Sequence, residues 1–355
     1  MAISKRSSFP YIIPASIGLI SFGLAIAFPI LAPSSPIVQT PQPEPEITEP
    51  TTDTPTLETP IAPTSTKLLF VGDIMLARDV ERTIKNRGAD WPFMQLTPEL
   101  PSLASVIVGN LETTVRETEQ IEEENVLNFD TIPKNIKILK DAGFTHLSLA
   151  NNHTDDFGQE VTIETRSAVE EYGIIPFGDA TESGKYIERF TLGDQNISLI
   201  GFHAFNEYVI DIEDAIKAEQ EAGRFIIIYP HWGTEYVNTP SIYQQEAAKR
   251  FIKAGADLII GAHPHVIQQY EEIDGVPVIY SLGNFLFDQD FSEETKTGLV
   301  AVLEITTREI KIEFLPIRIV YRQVLFDDSW NDEAQAALNI DNLVLTIPRP
   351  VVQTP

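Results

Sequence analysis

Between residues 67 and 285 the chain repeats one pattern: a run of four to six apolar residues, closed in nearly every case by a polar cluster. The runs lie in KLLFVGD, ASVIVGNLE, THLSLANNH, ISLIGFHAF, RFIIIYPHWG, ADLIIGAHPH and PVIYSLGNF. Runs this short, without polar alternation, suit strands of a sheet covered on both faces. Helical patterns separate several of them. PKNIKILKDAGF opens on Pro133, spaces Ile136 and Leu139 for one helix face, and places Gly143 at the C-terminal cap. QEVTIETRSAVEEYG and SIYQQEAAKRFIKAG end likewise, on Gly173 and Gly255. Strands alternating with helices predict an α/β fold. After Gly298, GLVAVLEITTREIKIEFLPIRIVYR reads as two or three strands with no helix between, an antiparallel continuation of the same domain.

Ligands of such sheets bind beyond the carboxyl ends of the strands, and the polar clusters fall there. Asp73, Glu112, Asn152 with His153, His231, and His263 with His265 bring carboxylate, amide and imidazole groups to successive strand ends. A dinuclear hydrolytic site asks for this mixture, with a bridging carboxylate between two cations and imidazoles suited to Zn, Fe or Mn. His263 precedes Pro264, which favours extended backbone, and in an extended segment His263 and His265 face the same side. Competing structural roles exist for several of these groups. Asp73 can cap the following helix, and Asn151 can stabilise its turn. His146 reads as an ordinary strand histidine, while His203 ends a strand with no clear partner. Asn284 fits a turn or a substrate contact. Trp232 and Phe285 read as packing, and Asp155 and Asp156 as solvated groups or as holders of the His153 tautomer.

The first 65 residues follow other rules. Lys5 and Arg6 precede an uncharged apolar stretch from Phe9 to Ala32, roughly 35 Å as a helix and enough to span a bilayer. Basic residues before it place the N-terminus in the cytoplasm and the remainder outside. Pro10, Pro14 and Pro29 interrupt a regular helix, and residues 1–32 are read as an uncleaved anchor in preference to a signal peptide. Residues 33–65, rich in Pro, Thr and Glu, lack apolar periodicity and read as a disordered, extended linker. The globular domain is assigned to 66–325 and a C-terminal extension to 326–355. A net charge of −27 argues against nucleic acid and anionic lipid as partners of the surface, and a polyanionic substrate would need local cations. The absence of cysteine excludes disulfides and an N-terminal lipidated cysteine.

The succession GDIMLAR, GNLE, LANNHTDDFG, HWGTEY, GAHPH and SLGNFLFD resembles the CapA family of capsule and poly-γ-glutamate biosynthesis proteins over roughly residues 66 to 320. The domain of that family is similar to the calcineurin-like metallophosphoesterases. The resemblance implies a layered α/β sandwich with its metal site at the strand C-terminal ends, behind a membrane-anchored N-terminus. It implies two divalent ions (Mn, Zn or Fe), with Asp73 and His265 on one, Asn152, His231 and His263 on the other, and Glu112 bridging them. His153 would then protonate a leaving oxygen, and Arg78 would neutralise a substrate phosphate or carboxylate. Two departures stand out. The wider phosphoesterase pattern begins D-x-H, whereas this chain has Asp73-Ile74-Met75, and it has aspartate where Glu112 stands.

The expected function is that of a membrane-anchored, metal-dependent hydrolase acting in the synthesis, export or trimming of an anionic extracellular polymer such as poly-γ-glutamate. Its expected partners are that polymer or a phosphoester, the membrane, and polymer synthase subunits. The alternative is a non-catalytic accessory subunit of a capsule polymer synthase, and a third reading is a soluble phosphodiesterase.

Overall fold

Each apolar run becomes a strand because its alternate residues have two apolar layers to enter. In Lys67–Ile74, Leu69 and Val71 join a helix-side core while Leu68 and Phe70 join a second core on the other face. In Phe225–His231, Ile226 and Ile228 join a different helix-side core, and Phe225, Ile227 and Tyr229 enter that same second core. The structure, a computed structural model, describes residues 67–97, 99–117, 129–178, 186–204 and 212–349. The segments read as anchor and linker lie outside these residues. Among the described residues no helix is long and apolar enough to cross a membrane.

The runs divide between two sheets. In the first, Lys67–Ile74, Val106–Leu111, His146–Ser148 and Ile175–Phe177 are parallel neighbours. Thr297–Ile305, Glu309–Val320 and Gln323–Phe326 extend that sheet antiparallel, as the unbroken strand pattern after Gly298 predicts. In the second, Gln195–His203, Phe225–His231, Leu258–Ile260 and Val276–Leu282 are parallel, with Ile187–Leu192 and Ile267–Ile273 antiparallel at its edges. The core between the sheets holds Phe70, Val108, Ile227, Ile260, Ile279 and Phe314.

Helices cover the outer faces. Arg78–Arg87, Ile136–Asp141 and Gln159–Glu171 bury Val80, Ile138 and Val169 against the first sheet. Glu213–Glu221 and Ile242–Ala254 bury Ile216, Ala247 and Phe251 against the second. The result is a four-layer helix–sheet–sheet–helix sandwich. Beyond Phe326, Asn331–Leu338 places Ala334 and Leu338 in the core between the sheets, and Val344–Pro348 pairs with Glu309–Val320. Gly143 and Gly255 stop their helices at φ +99° and +120°, a conformation open to glycine and costly for other residues.

Candidate metal centre

The parallel strands of both sheets deliver their carboxyl ends to one place. Asp73 ends the strand Lys67–Ile74, and Glu112 follows Leu111 on the neighbouring strand, its N–H donating to the Ile74 carbonyl at 2.8 Å. His231 ends Phe225–His231, and a parallel bridge from His231 to Ala262 brings in the GAHPH segment. The second sheet thus supplies His231, His263 and His265, and the first supplies Asp73, Glu112 and Asn152.

His263 and His265 do face one site, but not through extended backbone. They lie in a bend at φ +98° and +58°. Positive φ in a residue with a Cβ costs on the order of 1–3 kcal/mol and persists where surrounding structure enforces it. Here the Asp73 carboxylate accepts the His263 N–H at 3.0 Å, and the Pro264 carbonyl accepts the Tyr236 N–H at 2.8 Å.

Two groups of donors share Glu112. Asp73, Glu112 and His265 form one, Glu112, His231 and His263 the other, each with ligand atoms within 4.8 Å of one another. In the second group His231 Nε2 lies 2.7 Å from Asn152 Oδ1, 3.0 Å from His263 Nδ1 and 4.0 Å from Glu112 Oε1. In the first, His265 Nε2 lies 3.7 Å from Glu112 Oε1, and His265 Nδ1 lies 3.2 Å from Asp73 Oδ2. Glu112 is fully buried, and among the described residues neither of its oxygens has a hydrogen-bond partner. Leaving a buried carboxylate uncompensated costs several kcal/mol, so a set of acceptors around such a group fits a cation. Met75, two residues after Asp73, is buried in the helix-side core.

The protonation states follow from burial and neighbours. Burial pushes His231 well below the usual histidine range, with the surrounding imidazoles adding to the shift, and takes His263 down to about 3. Both are therefore neutral and able to ligate a metal. Burial also lowers His265, but Glu112 and Asp73 outweigh it and bring its pKa up to about 9. Burial raises Glu112 well above the carboxylate range, with His265 opposing and Asp73 adding to the rise. A cation entering between Asp73 and Glu112 therefore competes with a proton on His265.

His153 stands beside this cluster. Its Nδ1 lies 2.9 Å from Asp156 Oδ2 and its Nε2 3.7 Å from Glu112 Oε1, while Phe129 stacks on the ring at 3.9 Å between centroids. Asp156 thus holds the tautomer. Arg78 lies one aromatic ring away from His153. Its guanidinium pairs with both oxygens of Asp288 and stacks over Phe129 at 4.7 Å. Asp288 also accepts the Asp79 N–H at the start of helix Arg78–Arg87, a capping contact that Asp73 does not make.

Other side chains resolve as follows. Asn284 Oδ1 lies 3.0 Å from His265 Nδ1 while its amide donates to the Thr295 carbonyl, so it orients a ligand rather than only shaping a turn. Asn151 donates to the Leu111 carbonyl and accepts the His153 N–H. Trp232 donates to the Tyr280 carbonyl and is buried among aromatic rings, as is Phe285. His203 pairs in register with His231 and is buried. Asn110 escaped the sequence reading. It donates to Asp73 Oδ1 at 2.8 Å, faces His231 Nδ1 at 3.1 Å and accepts from Asn151. Its place two residues before Glu112 on an extended strand was the available signal.

A sandwich of this kind, with carboxylates and imidazoles gathered at the carboxyl edges of both sheets, defines a candidate metal-binding α/β domain. A family model described as "Bacterial capsule synthesis protein PGA_cap" matches residues 67–289. The chain belongs to that family. It is 33% identical over 250 residues to the PGA biosynthesis protein CapA of Bacillus subtilis (strain 168), covering 65% of this chain and 66% of the relative. It is 31% identical over 259 residues to the capsule biosynthesis protein CapA of Bacillus anthracis, covering 66% and 62% respectively. The match therefore spans somewhat less than two thirds of the length of these relatives. Among solved structures, a novel phosphatase from Mycoplasma pneumoniae aligns over 81% of this chain and 95% of its own at 13% identity with a TM-score of 0.43, too distant to carry an argument.

Proposed function

We propose that the protein is a membrane-anchored, metal-dependent hydrolase that acts on an anionic extracellular polymer, such as poly-γ-glutamate, during its synthesis, export or trimming. The observation that carries the reading is Glu112, a buried carboxylate that among the described residues lacks a hydrogen-bond partner and stands between two groups of imidazole and carboxylate donors. Asp73, Glu112 and His265 would hold one ion, and Glu112, Asn152, His231 and His263 a second. Divalent ions held by these residues would lower the pKa of a water and polarise a phosphoryl or carbonyl oxygen. The chain does the rest. Asp156 accepts from Nδ1 of His153, which leaves Nε2 to carry a proton to the leaving group. Asn284 and Asn110 fix the orientations of His265 and His231. The relatives' names, PGA and capsule biosynthesis, support the polymer. On so acidic a chain the ions also serve to attract it. The apolar stretch Phe9–Ala32 and its basic flank support an anchor with the domain outside the cell.

A second reading, an accessory subunit that binds polymer or synthase without turnover, is favoured by Met75, which leaves the Asp73 side one imidazole short. Turnover separates the two. The metal-loaded full chain is expected to cleave a phosphodiester or a γ-glutamyl amide. His153→Ala is expected to lose 10²- to 10⁴-fold in kcat while retaining its metal. A folded, metal-loaded wild type inactive on both substrate classes would establish the accessory reading.

A further inference from the structure

Glu235, in HWGTEY, has no role in the ligand set above, yet its carboxylate lies with ring nitrogens of His263 and His265 in one group within 4.8 Å. Backbone bonds on both sides of it fasten the segment to the GAHPH bend: Trp232 N–H donates to the Ala262 carbonyl at 3.1 Å and Tyr236 N–H to the Pro264 carbonyl at 2.8 Å. The Tyr236 ring stacks on His265 at 6.0 Å, and its hydroxyl accepts from Gln289. Glu235 is therefore placed by the same contacts that shape the two histidines. Unlike them and Glu112, it is not buried.

Two features point to a ligand beside this carboxylate: its own place within 4.8 Å of ring nitrogens of His263 and His265, and the Glu112 carboxyl in the adjoining groups. The buried oxygens of Glu112 lack a hydrogen-bond partner among the described residues, and Met75, two residues after Asp73, is turned into the core and offers the centre no donor. Glu235 is a carboxylate donor within reach of the same centre.

We propose that Glu235 is a further metal ligand, a solvent-reaching carboxylate that binds beside His263 and His265. The inference rests on the reading of the cluster as a metal centre. It gives the site three carboxylates, Asp73, Glu112 and Glu235, a set that favours Mn²⁺ or Mg²⁺ more than an imidazole-rich one does. As the solvent-reaching carboxylate of the three, Glu235 is the one a substrate oxyanion can displace without leaving a buried charge uncompensated.

The test is Mn²⁺ titration of the full chain by calorimetry and by electron paramagnetic resonance of free Mn²⁺, for wild type, Glu235→Gln, Glu235→Asp and Glu112→Gln. Glu235→Gln is expected to weaken one ion by 10- to 100-fold, and Glu235→Asp, which keeps the charge, to recover part of the loss. Wild-type affinity and stoichiometry in Glu235→Gln, with binding lost in Glu112→Gln, would overturn the role of Glu235 and leave the centre standing. No Mn²⁺ binding by the wild type would overturn both.

Discussion

Glu112 places a carboxyl group where burial makes ionisation expensive, and among the described residues no N–H or O–H donates a hydrogen bond to its oxygens. His146 shows the opposite use of burial. It lies in the strand His146–Ser148 with Nδ1 2.8 Å from Thr145 Oγ1 and, among the described residues, no hydrogen-bond partner for Nε2, and burial takes its pKa from 6.5 down to about 4. The unfolded chain then binds more protons at His146 than the folded one between those values, so stability falls as pH drops from 6.5 toward 4. The shift corresponds to roughly 3 kcal/mol at full extent. Urea midpoints at pH 7 and pH 4.5 should show the loss in wild type and a smaller one in His146→Phe. An equal loss in both would place the acid sensitivity elsewhere. At this scale the sequence was informative where residue type implies chemistry. Asp73, His231, His263 and His265 meet because carboxylates and imidazoles after buried strands have few structural duties. Asn110 and Glu235 were not legible, because an amide within a strand and a glutamate in a loop gain meaning only from contacts far along the chain.

At the scale of elements, the strand runs were legible because burial on both faces leaves an uninterrupted apolar signature. Their division between two sheets was not, since a strand with helices on one side and a second sheet on the other carries the same signature. The bend at His263 and His265 was hidden for a related reason: proline predicts extended backbone before it, and the contacts that enforce positive φ come from Asp73 and Tyr236. Gly72 shows how closely these elements meet. A Cβ there would lie 1.8 Å from the Gly283 carbonyl oxygen, between the Asp73 strand and the turn that carries Asn284. Gly72→Ala must push the two backbones apart, at a cost of about 1–3 kcal/mol or more, and with them Asp73 and the support of His265. Thermal unfolding should show the loss together with weakened Mn²⁺ binding. Unchanged stability would mean that the strand and turn separate freely.

For the whole molecule, the two sheets and their helices form a frame whose carboxyl edges converge, and on so acidic a surface the proposed cations would be the means to attract the proposed polyanion. A ligand that binds only the folded state stabilises it by mass action. Saturating Mn²⁺ should therefore raise the unfolding temperature and chelation lower it. The most direct measurement is metal content of the purified full chain by mass spectrometry after incubation with Mn, Zn or Fe, beside Glu112→Gln checked for folding. The account predicts about two divalent ions per chain, reduced by the substitution. A folded wild type that retains none of the three metals would contradict it.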